Sequence, residues 1–322
     1  MQRDSNENHR WGVILAGGDG VRLRSVTRLV SGDDRPKQFC PLLGGRTLLA
    51  QTRLRTAERI NRNRTLFVLT RAHESFYSKE LANVPPIRMV AQPSNRGTLP
   101  AILWSLLRVI RLDESASVAF FPSDHYYAEE GKFMTAVASA FERTPTNAAS
   151  VILLGAQAKH AETGYGWIEP DSTSSSDFGD RAMRVKRFWE KPTSQIAEEL
   201  LKQDCLWNTF VMVGRAAAFV EMIQHASPAL YSSFEPILSL STPEMEDELM
   251  QRVYDQIPTA DFSKQVLSLS TEKLVVTSLG DIGWSDLGDP HRLIAALFKG
   301  GIENPWVASG SCKHCGLTLS TS

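Results

Sequence analysis

The sequence predicts an α/β fold: a Rossmann-like, mostly parallel sheet with helices on both faces, plus a smaller second lobe. Three observations predict it. Short apolar runs alternate with amphipathic helical stretches through the first half of the 322 residues. A glycine cluster, Gly17-Gly18-Asp19-Gly20, follows the first apolar run directly. A carboxylate, Asp124, follows a later run, and ligands of such sheets bind beyond the carboxyl ends of the strands.

In chain order, residues 13–16, 65–70, 87–91 and 118–121 read as strands, because each is a short apolar or β-branched run. Residues 47–60, 74–81 and 98–110 carry helical spacing between them. The second half is more mixed. Residues 150–156, 184–189, 206–213 and 273–277 are strand candidates, while 216–225, 229–238 and 244–254 read as helices. Residues 172–180 form a Ser/Asp-rich loop. Neither an internal repeat nor a low-complexity linker divides the chain. The expected organisation is a disordered leader over 1–10, one two-lobed domain over 11–295 and a short tail over 296–322, too short for a second enzymatic domain.

Composition excludes several classes. The 35 basic and 36 acidic residues balance, so no bulk field draws nucleic acid or an anionic membrane. The polar start MQRDSNENHR is not a signal peptide, and no apolar run reaches membrane-spanning length. Cys40, Cys205, Cys312 and Cys315 do not form a disulfide framework, which points to a reducing cytoplasm. Cys312 and Cys315 have the spacing of half a zinc site, but no second pair completes it, so they read as incidental.

Chemistry concentrates in the first forty residues. Glycines after a strand let backbone N–H groups approach a phosphate, and Arg22 and Lys37 add cations for its oxygens. No Lys-Ser or Lys-Thr pair makes this a Walker loop, and Leu23 stands where a dinucleotide fingerprint needs glycine. Alone, the cluster reads equally as an ordinary strand-to-helix turn. The block Arg35-Pro36-Lys37-Gln38-Phe39 shifts that balance.

The stretch 11–39 resembles the opening of the sugar-1-phosphate nucleotidyltransferase family, most closely its mannose-1-phosphate guanylyltransferase branch. The resemblance covers about residues 11–295 through at least six motifs in family order. It implies that residues 11–125 are mainly a nucleotide lobe and 126–295 mainly a sugar lobe. By the same implication Gly17, Gly18, Gly20 and Arg22 hold a nucleoside triphosphate, and Lys37 sits at the reacting phosphate. Gln92, Gly97 and Thr98 belong to the loop that lines the base. Here the guanylyl branch usually has Asn-Thr-Ala-Pro, whereas this chain has Gly97-Thr98-Leu99-Pro100, and Gln92 with Gly97 looks more like the thymidylyl loop.

Downstream, Gly164-Tyr165-Gly166-Trp167-Ile168-Glu169 and Phe188-Trp189-Glu190-Lys191-Pro192 resemble the family's sugar-binding segments. Gly164 then allows close backbone approach, Glu190 accepts from sugar hydroxyls and Lys191 holds the sugar phosphate. Asn208 is a further hydroxyl partner. Without the resemblance, these are a glycine-rich hairpin and an exposed charge pair before a helix. Asp124 and Asp286 resemble two Mg²⁺-binding carboxylates, and His125 only shapes the loop. The implied reaction is GTP plus mannose 1-phosphate giving GDP-mannose and pyrophosphate. The same chemistry with dTTP or UTP and glucose 1-phosphate stays open, as do a silent nucleotide-sugar-binding regulator and a homo-oligomer.

Overall fold

The computed structural model describes residues 7–144, 149–171 and 182–302. A nine-stranded sheet runs through both halves: β1 Arg10–Leu15, β2 Thr65–Thr70, β3 Met89–Gln92, β4 Ser117–Pro122, β5 Val151–Gln157, β6 Gly166–Pro170, β7 Ala182–Glu190, β8 Leu206–Arg215 and β9 Leu274–Ser278. Their order is β3-β2-β1-β4-β8-β5-β9-β7-β6. The first four strands are parallel, as the βαβα rhythm requires. Beyond them the sheet is mixed. β8 runs antiparallel to both β4 and β5, while β5 and β9 are parallel.

Alternation along the strands creates two cores. Val13, Val68 and Phe120 face one, against helix Thr98–Leu112 and the helices of the second half. Ile14, Phe67 and Phe121 face the other, against helices Leu48–Thr56 and Glu130–Arg143. A smaller core of Trp167, Trp207, Ala197 and Leu200 sits under helix Ser194–Lys202. Among the described residues, no helix is long and apolar enough to cross a membrane.

Two expected boundaries move. Arg10 already belongs to β1, and the His9 carbonyl accepts from the Ser117 N–H. The expected leader therefore reaches too far, since Asp113 binds His9 at 2.8 Å and the Trp11 indole at 2.9 Å. At the other end, helix Pro290–Lys299 runs past residue 295, capped by Asp289. The loop 172–180 and the Cys312/Cys315 pair lie outside the described residues.

One buried ionic knot fastens the second half onto helix Thr98–Leu112. Glu246 and Arg108 have no exposed side-chain surface, and the Arg108 Nε lies 2.7 Å from both Glu246 carboxylate oxygens. Arg111 adds a bond at 2.7 Å, and the Trp104 indole donates to the same carboxylate. Removing one partner of such a set strands the other's charge in a dry interior. Glu246→Gln is expected to destabilise the fold by on the order of 3–5 kcal/mol. Urea unfolding measures it, and an unchanged midpoint would mean the knot adds nothing to stability.

Candidate active site

A cleft of about 470 Å³ opens beyond the carboxyl ends of β1, β3 and β4 and is flanked by β6, β7 and β8. Gly17, Gly18, Arg22, Gln92, Gly97, Thr98, Asp124, Gly164, Glu190, Lys191, Asn208 and Asp286 all line it. Gly20 and Lys37 stand behind that wall and hold it together. Gly20 has φ +59°, and a Cβ there would lie 2.9 Å from the Lys37 backbone nitrogen. The two motifs, fifteen residues apart, are thus in direct backbone contact, and only glycine permits it. Gln38 completes the join, donating its amide N–H groups to the Ala16 and Gly18 carbonyls at 3.0 and 2.7 Å.

Lys37 is nearly buried, and its ammonium faces three acceptors. It donates to the carbonyls of Asp286 and Leu287 at 2.5 and 3.2 Å and lies 3.3 Å from the Asp124 carboxylate. Asp124 and the turn carrying Asp286 are therefore drawn to one cation although 162 positions separate them in the chain. By contrast, Arg22 is exposed at the cleft and forms no ion pair among the described residues.

Asp286 is more constrained than Asp124. Its Oδ1 accepts from the Tyr165 hydroxyl at 3.1 Å, the Gly288 N–H at 2.8 Å and Arg292 at 3.0 Å. Burial opposes its charge, but the Lys37 and Arg292 cations together hold the carboxyl below the ordinary Asp value. Arg292 also pairs with Glu162 at 2.7 Å and with Asp289 at 3.2 Å, and lies over the Tyr165 ring at 4.3 Å. Burial lowers the Arg292 pKa, yet Asp286, Tyr165 and Glu162 outweigh that and raise it above its usual value.

His125 is neutral. Burial pushes it down to about 4 despite Asp124. Its Nδ1 accepts from the Trp284 indole at 3.3 Å, since an indole can only donate. The ring proton is therefore on Nε2, 3.9 Å from Asp124.

The base-loop residues are tied elsewhere. Gln92 spends its amide on the Leu69 carbonyl and the Tyr254 hydroxyl, each at 3.2 Å. The Thr98 hydroxyl accepts from the Phe262 N–H at 2.8 Å. Ala260 bonds through its backbone to Arg96 and Leu99, so the segment 260–263 forms a wall carrying Asp261 and Ser263. Gly97 has φ +85°, and a Cβ would come within 2.3 Å of the Ala260 carbonyl oxygen. Gly97→Ala is expected to push that wall away and cost at least ~1–3 kcal/mol of backbone strain. A thermal melt tests it; a wild-type melting temperature would show that the wall can yield freely.

On the far side, Glu190 and Lys191 pair with each other at 2.7 Å. Lys191 has φ +50° and Phe210 has φ +59°, left-handed conformations that cost a non-glycine residue energy. Both line the cleft. The Phe210 kink falls where the β5–β8 register slips between Leu153 and Gly155. Asn208 accepts the Phe210 N–H on its Oδ1 at 3.0 Å, which leaves its NH₂ group uncommitted by that bond. Sequence reasoning missed Phe210, Asn95, Ser263 and above all Arg292. Asn95 had a local signal, since it precedes Gly97 in a polar loop and donates to Asp19 at 2.9 Å. Arg292 had none, because a lone arginine outside every motif carries no signal of its own.

The sheet and cleft together define an α/β protein with a cleft at its strand ends, edged by a glycine loop. The chain belongs to the nucleotidyl transferase family, whose sequence pattern matches residues 11–299. It is 29% identical over 291 residues to mannose-1-phosphate guanylyltransferase 2 of Escherichia coli O157:H7, covering 87% of this chain and 58% of that protein. It is 27% identical to the xanthan biosynthesis protein XanB of Xanthomonas campestris pv. campestris over 91% of this chain and 60% of the relative. The chain thus spans well under two thirds of the length of these curated relatives. The crystal structure of a mannose-1-phosphate geranyltransferase from Thermus thermophilus superposes with a TM-score of 0.76 at 26% identity, covering 92% of this chain and 80% of that one.

Proposed function

We propose that the chain transfers a nucleotidyl group from a nucleoside triphosphate to a sugar 1-phosphate, with GTP and mannose 1-phosphate as its substrates. The observation that carries this reading is the Lys37 ammonium, held 3.3 Å from Asp124 and directly behind the glycine loop that edges the cleft. An oxygen of the sugar phosphate attacks the α-phosphorus. A new P–O bond forms, the bond to the β-phosphate oxygen breaks, and pyrophosphate leaves with its charge. The attacking phosphate is already anionic, so no side-chain nucleophile is needed, and catalysis is positioning and charge neutralisation.

Backbone N–H groups at Gly17 and Gly18 and the free Arg22 guanidinium receive the triphosphate. Lys37 turns from its carbonyl partners toward the α-phosphoryl oxygens. Glu190, Lys191 and Asn208 receive the sugar phosphate from the opposite wall. Asp124 and Asp286 fit Mg²⁺ as a pair of hard oxygen donors on one cleft. Among the described residues no cluster of three or more such side chains exists, and Mg²⁺ usually takes one or two carboxylates plus substrate phosphates. Asp124 offers an open carboxylate; Asp286 offers chiefly Oδ2, which Arg292 approaches at 3.1 Å. When bound, the cation would neutralise phosphate charge and orient the leaving group. Buried free thiols at Cys40 and Cys205 accord with a reducing cytoplasm.

The test is a matrix of triphosphates against sugar 1-phosphates read by pyrophosphate release. GTP with mannose 1-phosphate is expected to give the highest kcat/KM. Higher values with dTTP or UTP would show that the Gln92–Gly97 loop, not the RPKQF block, reports the base. No release from any pair, with nucleotide sugar still bound, would make the chain a binding protein.

Lys191→Met isolates the sugar-phosphate clamp. It keeps much of the stem and removes the charge, so roughly ten- to a hundredfold should be lost in sugar 1-phosphate use, the worth of one charge-assisted hydrogen bond. Triphosphate affinity should hold. Equal weakening of both substrates would make Lys191 only the partner of Glu190.

A further inference from the structure

A second pocket, of about 610 Å³, opens well away from the cleft, at the amino-terminal end of β2 beside helix Leu48–Thr56. Arg46, Arg53, Arg62 and Arg88 line it, and no carboxylate does. None of the four forms an ion pair among the described residues. Two of the four are fixed in place. Arg53 donates to the Glu80 carbonyl at 2.7 Å and lies over the Phe67 ring at 5.5 Å. Arg88 donates to the Arg62 carbonyl. Both are half-buried.

Holding like charges together without an anion costs free energy, and the strain registers on Arg88. Partial burial first, and the charge of Arg53 second, lower its pKa below the usual guanidinium value. Glu80, near Arg53, offsets this only in part: its Oε2 accepts from Thr47 at 2.9 Å, its Oε1 has no hydrogen-bond partner, and burial raises its pKa although Thr47 and the charge of Arg53 act to lower it. Guanidinium forks match phosphate oxygens bidentately. The remaining wall supplies apolar surface from Leu54 and Val84, and a pocket of this size suits a molecule of nucleotide dimensions. Nucleic acid is disfavoured, because the site is concave and the chain's net charge is −1.

We propose that this pocket is a second anion site that takes a small organic diphosphate, its phosphates on Arg53 and Arg88 and its ring against Leu54 and Val84. The proposal does not depend on the reaction assigned to the cleft.

The test is arginine footprinting of the full chain with phenylglyoxal, mapped by mass spectrometry, with inorganic pyrophosphate and with GDP as probes. A ligand at ten times its dissociation constant leaves about one site in eleven free, so modification of Arg53 and Arg88 should slow about tenfold. GDP should protect at lower concentration than pyrophosphate, because only GDP carries a ring. The Arg53→Met/Arg88→Met variant should lose one equivalent of bound GDP by calorimetry and keep wild-type turnover. Protection of Arg22 with none at Arg53 or Arg88 would overturn the proposal. So would equal protection by sulfate at the same concentrations, which is charge screening only. Reactivity at the four arginines that rises on dilution without ligand would mean that a second copy of the chain covers the pocket, which also overturns it. The footprint needs no variant, so a misfolded double variant leaves the test intact.

Discussion

A Lys37→Met variant is expected to lose roughly a hundred- to a thousandfold in kcat, the effect of deleting one preorganised group that stabilises transition-state charge. KM for both substrates should change far less, because the ammonium is spent on protein acceptors before the reaction and meets the phosphoryl oxygens only as charge develops. Those acceptors also make Lys37 structural: the variant leaves the Asp286 and Leu287 carbonyls without their donor. An unpaired buried carbonyl costs about 1–3 kcal/mol, so the melt must be recorded beside the rate. A variant that is folded and turns over normally would remove Lys37 from the chemistry.

The two carboxylates should respond differently to the same substitution. Asp124→Asn removes an anion from a partly open site whose nearest partner is Lys37 at 3.3 Å. Turnover should fall by about two orders of magnitude and need more Mg²⁺, with the melting temperature nearly unchanged. Asp286→Asn should depress turnover as well, and in addition lower stability by about 1.5–3 kcal/mol, since it breaks the ionic bond to Arg292. Arg292 keeps Glu162 and Asp289, so the fold survives. Combining Asp286→Asn with Arg292→Met in a double-mutant cycle separates the ion pair from the metal role. If Asp286→Asn melts like wild type and keeps its Mg²⁺ titration, both roles given to Asp286 fail.

Much of this was legible along the chain, and the reason is local. Residues 65–70 read as a strand because every side chain in TLFVLT is apolar or β-branched, and all six are buried. The glycine loop and the Arg35–Phe39 block were visible because their residue types matter to adjacent backbone. Some local signal was passed over. Phe133, Met134, Val137, Ala140 and Phe141 fall at helical spacing in Glu130–Arg143, yet that helix was not expected.

What no linear reading reached depends on partners distant in sequence. The place of β8 between β4 and β5 follows from side-chain packing on both sheet faces, which strand patterns do not encode. Gly20 read as part of a loop that holds a triphosphate, and only the fold shows it pressed against Lys37. Asp286 looked like an open ligand, and only the fold places Arg292 on its carboxylate, six residues along but folded back by helix Pro290–Lys299. Residue type and spacing determine which chemistry a segment can offer. Which groups meet, and which are already spent on one another, is decided by long-range burial, because a charge leaving water takes the nearest opposite charge the packing provides.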